Sequence, residues 1–131
     1  MNREIINPWK WQDQFGFVQA NNVTEASRTL YCSGQASMAA DGNPLHAGDM
    51  AAQIELTLDN LETVLAQADM ELKDIVRLNY YTTDPSSFMQ SIHLITERFT
   101  KAGCRPASTL LGVASLFHPD IMIEIDATAV R

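Results

Sequence analysis

The amino-acid sequence predicts an α+β domain in which two helices cover one face of a single mixed β-sheet. Two apolar stripes at helical spacing and two runs of strict alternation carry that reading. The stripes are Ile54, Leu58, Leu61 and Leu65 in one segment and Phe88, Ile92, Ile95 and Phe99 in another. The alternating runs are "DIVRLNYYTT" and "IMIEIDATAV".

Taken in order, "FGFVQANNV" and "RTLYCSGQAS" read as short strands joined by a polar turn, which suggests a hairpin. The stretch "MAADGNPLHAGD" reads as a surface loop, because Asp41, Gly42, Asn43 and Pro44 are consecutive turn formers. Asp49 is placed to cap the first helix, whose Glu55, Asp59 and Glu62 turn away from the stripe. The next strand points Val76, Leu78 and Tyr80 toward the helices and Arg77, Asn79 and Tyr81 away. Asp84-Pro85 starts the second helix and Gly103 stops it. The last strand sets Ile121, Ile123, Ile125, Ala127 and Ala129 on one face and Met122, Glu124, Asp126 and Thr128 on the other.

Composition bounds the function. The 131 residues suit one domain spanning 1–131, with no internal repeat or linker. Nine Lys and Arg against 16 Asp and Glu give a net charge of −7, which repels a phosphate backbone and argues against a nucleic-acid partner. The N-terminus lacks an apolar signal core and no run is long enough to span a membrane, so the expected location is cytoplasmic. Cys32 and Cys104 lack a paired spacing and are expected to be free thiols. His46, His93 and His118 share no ligand spacing, and neither a Gly-rich phosphate loop nor a G-x-S-x-G elbow occurs. No metal or cofactor is therefore expected.

With both helices on one side, the other face of the sheet carries Arg77, Asn79, Tyr81, Glu124 and Asp126, too mixed for a core and too aromatic for plain exposure. A second subunit is the simplest cover, and clefts at subunit boundaries would then hold a small-molecule ligand.

The segments "FGFVQ", "YCSGQAS", "RPASTLLGVASL" and "IEIDATAV", in that order and with helices between them, closely resemble the Rid (reactive intermediate deaminase) family, also called YjgF-like. The resemblance spans almost the whole chain. It implies a chorismate-mutase-like fold, a homotrimer and three ligand clefts between subunits. It also implies hydrolysis of reactive imines or enamines to a carbonyl compound and ammonia. In the family's active type, a Pro-Ala-Arg-Ser/Thr run supplies the Arg that grips the substrate carboxylate. Here the run is Pro106-Ala107-Ser108-Thr109, so Ser108 stands where that Arg would be, and Arg105 does not match it. The family's cleft Tyr corresponds to Phe17, its strand-end Ser and Gly to Ser33 and Gly34, and the residue lining the ligand end of its cleft to Leu110, which would make that wall apolar here. The Glu thought to position water corresponds to Glu124.

Several residues keep two readings. Ser108 is either a small strand residue or a ligand contact, and Arg77 is either a substitute anchor or the partner of a neighbouring acid. Trp9 and Trp11 either roof a pocket or pack an amphipathic segment. Asp126 is expected in an interface network rather than in a catalytic pair, and Arg105 as an exposed loop charge. Two functions follow. One is an imine or enamine deaminase whose substrate departs from the usual 2-iminoacid; the other is a non-catalytic trimer that binds a small metabolite.

Overall fold

The computed structural model describes residues 1–131, and the chain opens with a strand that the sequence pattern does not signal. Strand β1 (Asn2–Ile6) pairs antiparallel with β2 (Ala20–Thr24). Between them, a 3-10 turn at Trp11–Phe15 ends on Gly16 in the left-handed region, φ 73°. Strand β3 (Thr29–Gln35) does not fold back on β2 but pairs with β6 (Ile123–Val130), which corrects the expected hairpin. The reason is burial: the register sets Leu30 and Cys32 beside Ala129 and Ala127, under a helix, where the polar β2 could not take them.

Four strands lie in the order β3-β6-β4-β5, with β4 (Ile75–Thr82) antiparallel to β6 and parallel to β5 (Ala107–Gly112). A parallel pair needs a long crossover, which α2 (Pro85–Gln90) and α3 (Ile92–Ala102) supply. Helix α1 (Met50–Gln67) makes the other crossing, from β3 to β4. The result is a mixed sheet with its helices on one face. Both apolar stripes meet Ile75, Leu78, Tyr80, Ile123 and Ile125 in one buried cluster.

The caps are those the sequence predicts. Asp49 accepts from the Ala52 amide at 3.0 Å, Asp84 from that of Ser87 at 3.1 Å, and Gly103 takes φ 70°. The second helix, however, is in two pieces, because at Ser91 the backbone leaves helical geometry (φ −112°, ψ 8°) and its N–H reaches Phe88 O. The stripe survives the break. In β4 an irregularity between Ile75 and Arg77 shifts the alternation, so Ile75 rather than Val76 is fully buried. Met122, expected on the uncovered face, precedes β6 and packs partly against the core. Glu55, Asp59 and Glu62 do not merely face solvent: all three accept from Arg98, at 2.6, 2.8 and 3.1 Å, tying α3 to α1. Both cysteines are buried and free, and no helix is long and apolar enough to cross a membrane.

The β1–β2 ribbon joins the sheet where β5 has not yet begun. Val18 N–H donates to Pro106 O at 2.9 Å, and Asn21 Nδ2 to Val76 O at 2.9 Å. The Arg3 guanidinium donates to the carbonyls of Lys73, Ile75 and Arg105 at 2.9, 3.0 and 2.6 Å. Arg3→Ala removes these three charged hydrogen bonds and a fourth, from Nε to Asn21 Oδ1 at 2.9 Å, all acting on the ribbon. Amide hydrogen exchange in β1 and β2 should accelerate at least about tenfold while α1 and β6 keep their protection. Uniform acceleration across the chain would show that the ribbon is part of the global folding unit.

Candidate functional site

The alternation of β6 delivers Glu124 and Asp126 to the uncovered face, where β4 contributes Arg77, Asn79 and Tyr81. Asp126 is fully engaged: it accepts from Asn79 Nδ2 at 2.9 Å and from the Tyr81 hydroxyl at 2.8 Å. That bond to Asp126, followed by burial, raises the Tyr81 pKa above the ordinary phenol value. Arg77 donates to Asn79 Oδ1 at 2.9 Å and to Thr109 Oγ1 at 2.7 Å, neutral partners in place of the acid that the pairing expectation gave it. It also stands four positions along β4 from Tyr81, the residue facing Glu124, which is roughly 13 Å of strand rise.

Glu124 accepts no hydrogen bond from the chain. Its half-buried carboxylate lies across β3 at Gly34, where an added Cβ would sit 1.9 Å from Oε1. Gly34 is therefore a notch that only a missing side chain can form, in the part of β3 whose register is irregular between Cys32 and Gln35. Ser33 is exposed beside it. Burial raises the Glu124 pKa, and the neighbouring Asp126 charge raises it further.

Phe17, Ser108 and Leu110 lie elsewhere. In the β4–β5 register Ser108 faces Leu78 and Leu110 faces Tyr80, so both point to the helix side of the sheet. With Phe17 they line a cavity of about 240 Å³. Ser108 is thus a strand residue and a cavity wall together. Trp11 is exposed and meets Phe17 edge-on at a centroid distance of 5.9 Å; Trp9 is exposed as well. Arg105 is exposed, and only its carbonyl is used, by Arg3 and Asn21. Within one chain the candidate residues form two groups, with Ser33, Gly34 and Glu124 on the uncovered face and Phe17, Ser108 and Leu110 on the covered one. No three His, Cys, Asp or Glu side chains converge into a metal-ligand set.

Two supporting residues escape a sequence reading. Buried Gln53 on α1 donates to Asp120 O at 2.7 Å and accepts from Met122 N–H at 2.8 Å, fixing the chain just ahead of Glu124. Asn60 donates to Ala36 O and Met38 O at 2.9 and 3.0 Å, fixing the chain just after Gly34. The signal for both was a polar amide on or beside the apolar stripe, which periodicity alone treats as noise.

Comparison with known proteins places this geometry. Residues 15–131 match the domain family described as Endoribonuclease L-PSP. The RutC family protein YjgH of Escherichia coli K12 is 32% identical over 98 residues, covering 75% of this chain and 73% of that protein. The 3-aminoacrylate deaminase RutC of Acinetobacter baylyi is 29% identical over 107 residues, 82% of each. Among solved structures, YyfB of Yersinia pestis, a Rid-family protein described as of unknown function, superposes with a TM-score of 0.89 at 33% identity over 100% of both chains.

The raised Glu124 pKa has a pH signature. Folding penalises the ionised form, so the contribution of this group is fully present below the unfolded carboxyl pKa of about 4.3 and is lost as pH rises through the higher folded value. Glu124→Gln removes that loss. Its unfolding midpoint relative to the wild type should be more favourable at pH 7 than at pH 4; an equal difference at both would show that burial does not perturb this carboxylate.

Proposed function

Because the chain belongs to the Rid (YjgF-like) family, we propose that it hydrolyses a small imine or enamine to a carbonyl compound and ammonia, in a cleft shared by two chains of a homotrimer. One observation carries this reading. Of the two acids on the uncovered face, Asp126 is held by two donors, whereas Glu124 is held by none and burial raises its pKa. An unpaired carboxylate of that kind accepts a proton from water. The hydroxide adds to the C=N carbon, the nitrogen takes the proton from Glu124, and the resulting carbinolamine collapses to C=O as ammonia leaves. An enamine first takes a proton at carbon and gives one up from nitrogen to become the imine. The name of the A. baylyi relative, an aminoacrylate deaminase, supports this class of chemistry.

The substrate is expected to lie outside the 2-iminoacids. A Ser108 hydroxyl supplies neither the charge nor the two-point fork by which an Arg holds a carboxylate. The same residue favours the second reading, a trimer that binds a metabolite without turning it over. The separation of the two residue groups supports clefts shared between chains, and Tyr31, 80% exposed on β3, supports a cover for the uncovered face. The net charge of −7 works against RNA as a substrate.

Light scattering should give the mass of three chains in dilute solution; a stable monomer would remove the shared cleft. Ammonia release from a panel of neutral and carboxylate-bearing imines decides catalysis. On any substrate found, Glu124→Gln should lower kcat about 100-fold and leave the assembly mass unchanged. Unchanged turnover would make Glu124 an interface residue, and silence across the panel would leave the binding trimer.

A further inference from the structure

The cavity beside β5 is walled almost wholly by hydrocarbon. Phe15 and Phe17 close one side, Phe88, Met89 and Ile92 come from the junction of α2 and α3, and Leu110 stands at the partly exposed mouth. No charged side chain lines it, and Ser108 and Tyr80 are the lining residues that carry a hydroxyl. Tyr80 is the unusual one. The residue is 5% exposed, its ring packs on Phe88 at a centroid distance of 5.3 Å, and its hydroxyl takes part in no hydrogen bond of the chain. Nor is that oxygen sealed away, as the unpartnered Thr57 Oγ1 is. Burial, with a smaller contribution from Cys104, holds the phenol far above the ordinary tyrosine range, so it stays neutral and keeps its proton to donate. A hydroxyl that is reachable but has no partner in the chain, on a residue lining a cavity, is available to a ligand atom.

We propose that this cavity seats an uncharged aryl or branched alkyl group, and that Tyr80 is a specificity-determining residue whose hydroxyl bonds a neutral polar atom of the ligand, a carbonyl oxygen or an imine nitrogen. Size supports the choice. A dry cavity of about 150 Å³ holds benzene, so about 240 Å³ admits one ring with a short polar substituent. Charge excludes the alternative: a carboxylate here would lose its water against hydrocarbon with no cation to meet it. The assignment deepens the deaminase reading by naming its substrate class, a neutral imine with an apolar substituent, and rests on that reading only for the step that follows binding.

Phenylacetamide and phenylacetate, matched in shape and different in charge, test it by calorimetric titration of the assembled protein. Phenylacetamide should bind at least about tenfold more tightly than phenylacetate. Tyr80→Phe should weaken phenylacetamide about 3- to 10-fold and leave ethylbenzene binding unchanged, which checks that the cavity is intact. Leu110→Trp, a change at the exposed mouth that does not rely on the core, should abolish binding of both aromatic probes. Equal affinity for the two matched compounds, an unaffected Tyr80→Phe, or no binding of phenylacetamide at all would each overturn the assignment. The two readings fail separately. A protein that binds the amide through Tyr80 but releases no ammonia from any imine loses the deaminase reading and keeps the cavity. One that hydrolyses imines through Glu124 yet binds phenylacetate as well as the amide loses only the cavity assignment.

Discussion

Strand β6 lies between β3 and β4, and its two-residue alternation decides on which side of the sheet the acids fall. Ile123, Ile125, Ala127 and Ala129 are buried beneath the helices, and Glu124, Asp126 and Thr128 point the other way. A slip of one residue would drive two carboxylates among Leu58, Leu61 and Phe99 with no cation to receive them. That penalty, several kcal/mol per ion even after relaxation, far exceeds what any single turn or cap contributes. The register is therefore locked by charge as much as by hydrophobic burial. Every neighbour then takes its own face from β6 through the ladder.

The separation of the candidate residues follows from the same alternation carried one and two strands outward. Asp126 sits opposite Asn79 and Glu124 opposite Tyr81, so Arg77, Asn79 and Tyr81 share the acids' face. Asn79 in turn faces Thr109, which leaves Ser108 and Leu110 on the side of Leu78 and Tyr80. A chain that places Glu124 in the open must place Ser108 under cover. The amides of Gln53 and Asn60 reinforce this from below, since each reaches from α1 to backbone carbonyls that flank the Glu124–Gly34 contact. Helix packing thereby positions a carboxylate on the opposite face of the sheet.

What was legible in the sequence was whatever rests on local chemistry. Asp49, Asp84 and Gly103 cap helices through contacts within one turn, and β6 reads cleanly because both its faces are consistent. What escaped depends on partners distant in the chain. The five residues of β1 carry no distinctive alternation, and the strand is held by Arg3 bonds to carbonyls 70 to 102 positions away. The choice of β6 over β2 as the partner of β3 is likewise decided by which surface lies under α1. The break at Ser91 was hidden because Phe88, Ile92, Ile95 and Phe99 keep an unbroken stripe across it. In the site, Glu124 and Gly34 were visible as types at positions; that one lies on the other was not, since the contact joins residues on two strands. Tyr80 was read as a core aromatic, and only the absence of a partner for its hydroxyl sets it apart.

Glu124 and Asp126 illustrate how one strand face gives two identical charges different chemistry. They are two residues apart, and the Asp126 charge raises the cost of ionising Glu124. The conflict is settled by donors. Asn79 and Tyr81 both donate to Asp126. Glu124 faces Tyr81 in the register, but that hydroxyl is already committed to Asp126, and the glycine beneath it offers no side chain. The fixed negative charge of Asp126 therefore acts on a neighbour that has nothing to offset it, and burial adds to the effect. Asp126 thus holds two donors while Glu124 has none and a raised pKa, so two acids of one strand face differ in environment rather than in type. The donor set of β4, rather than any property of Glu124 itself, is what leaves that carboxylate without a partner.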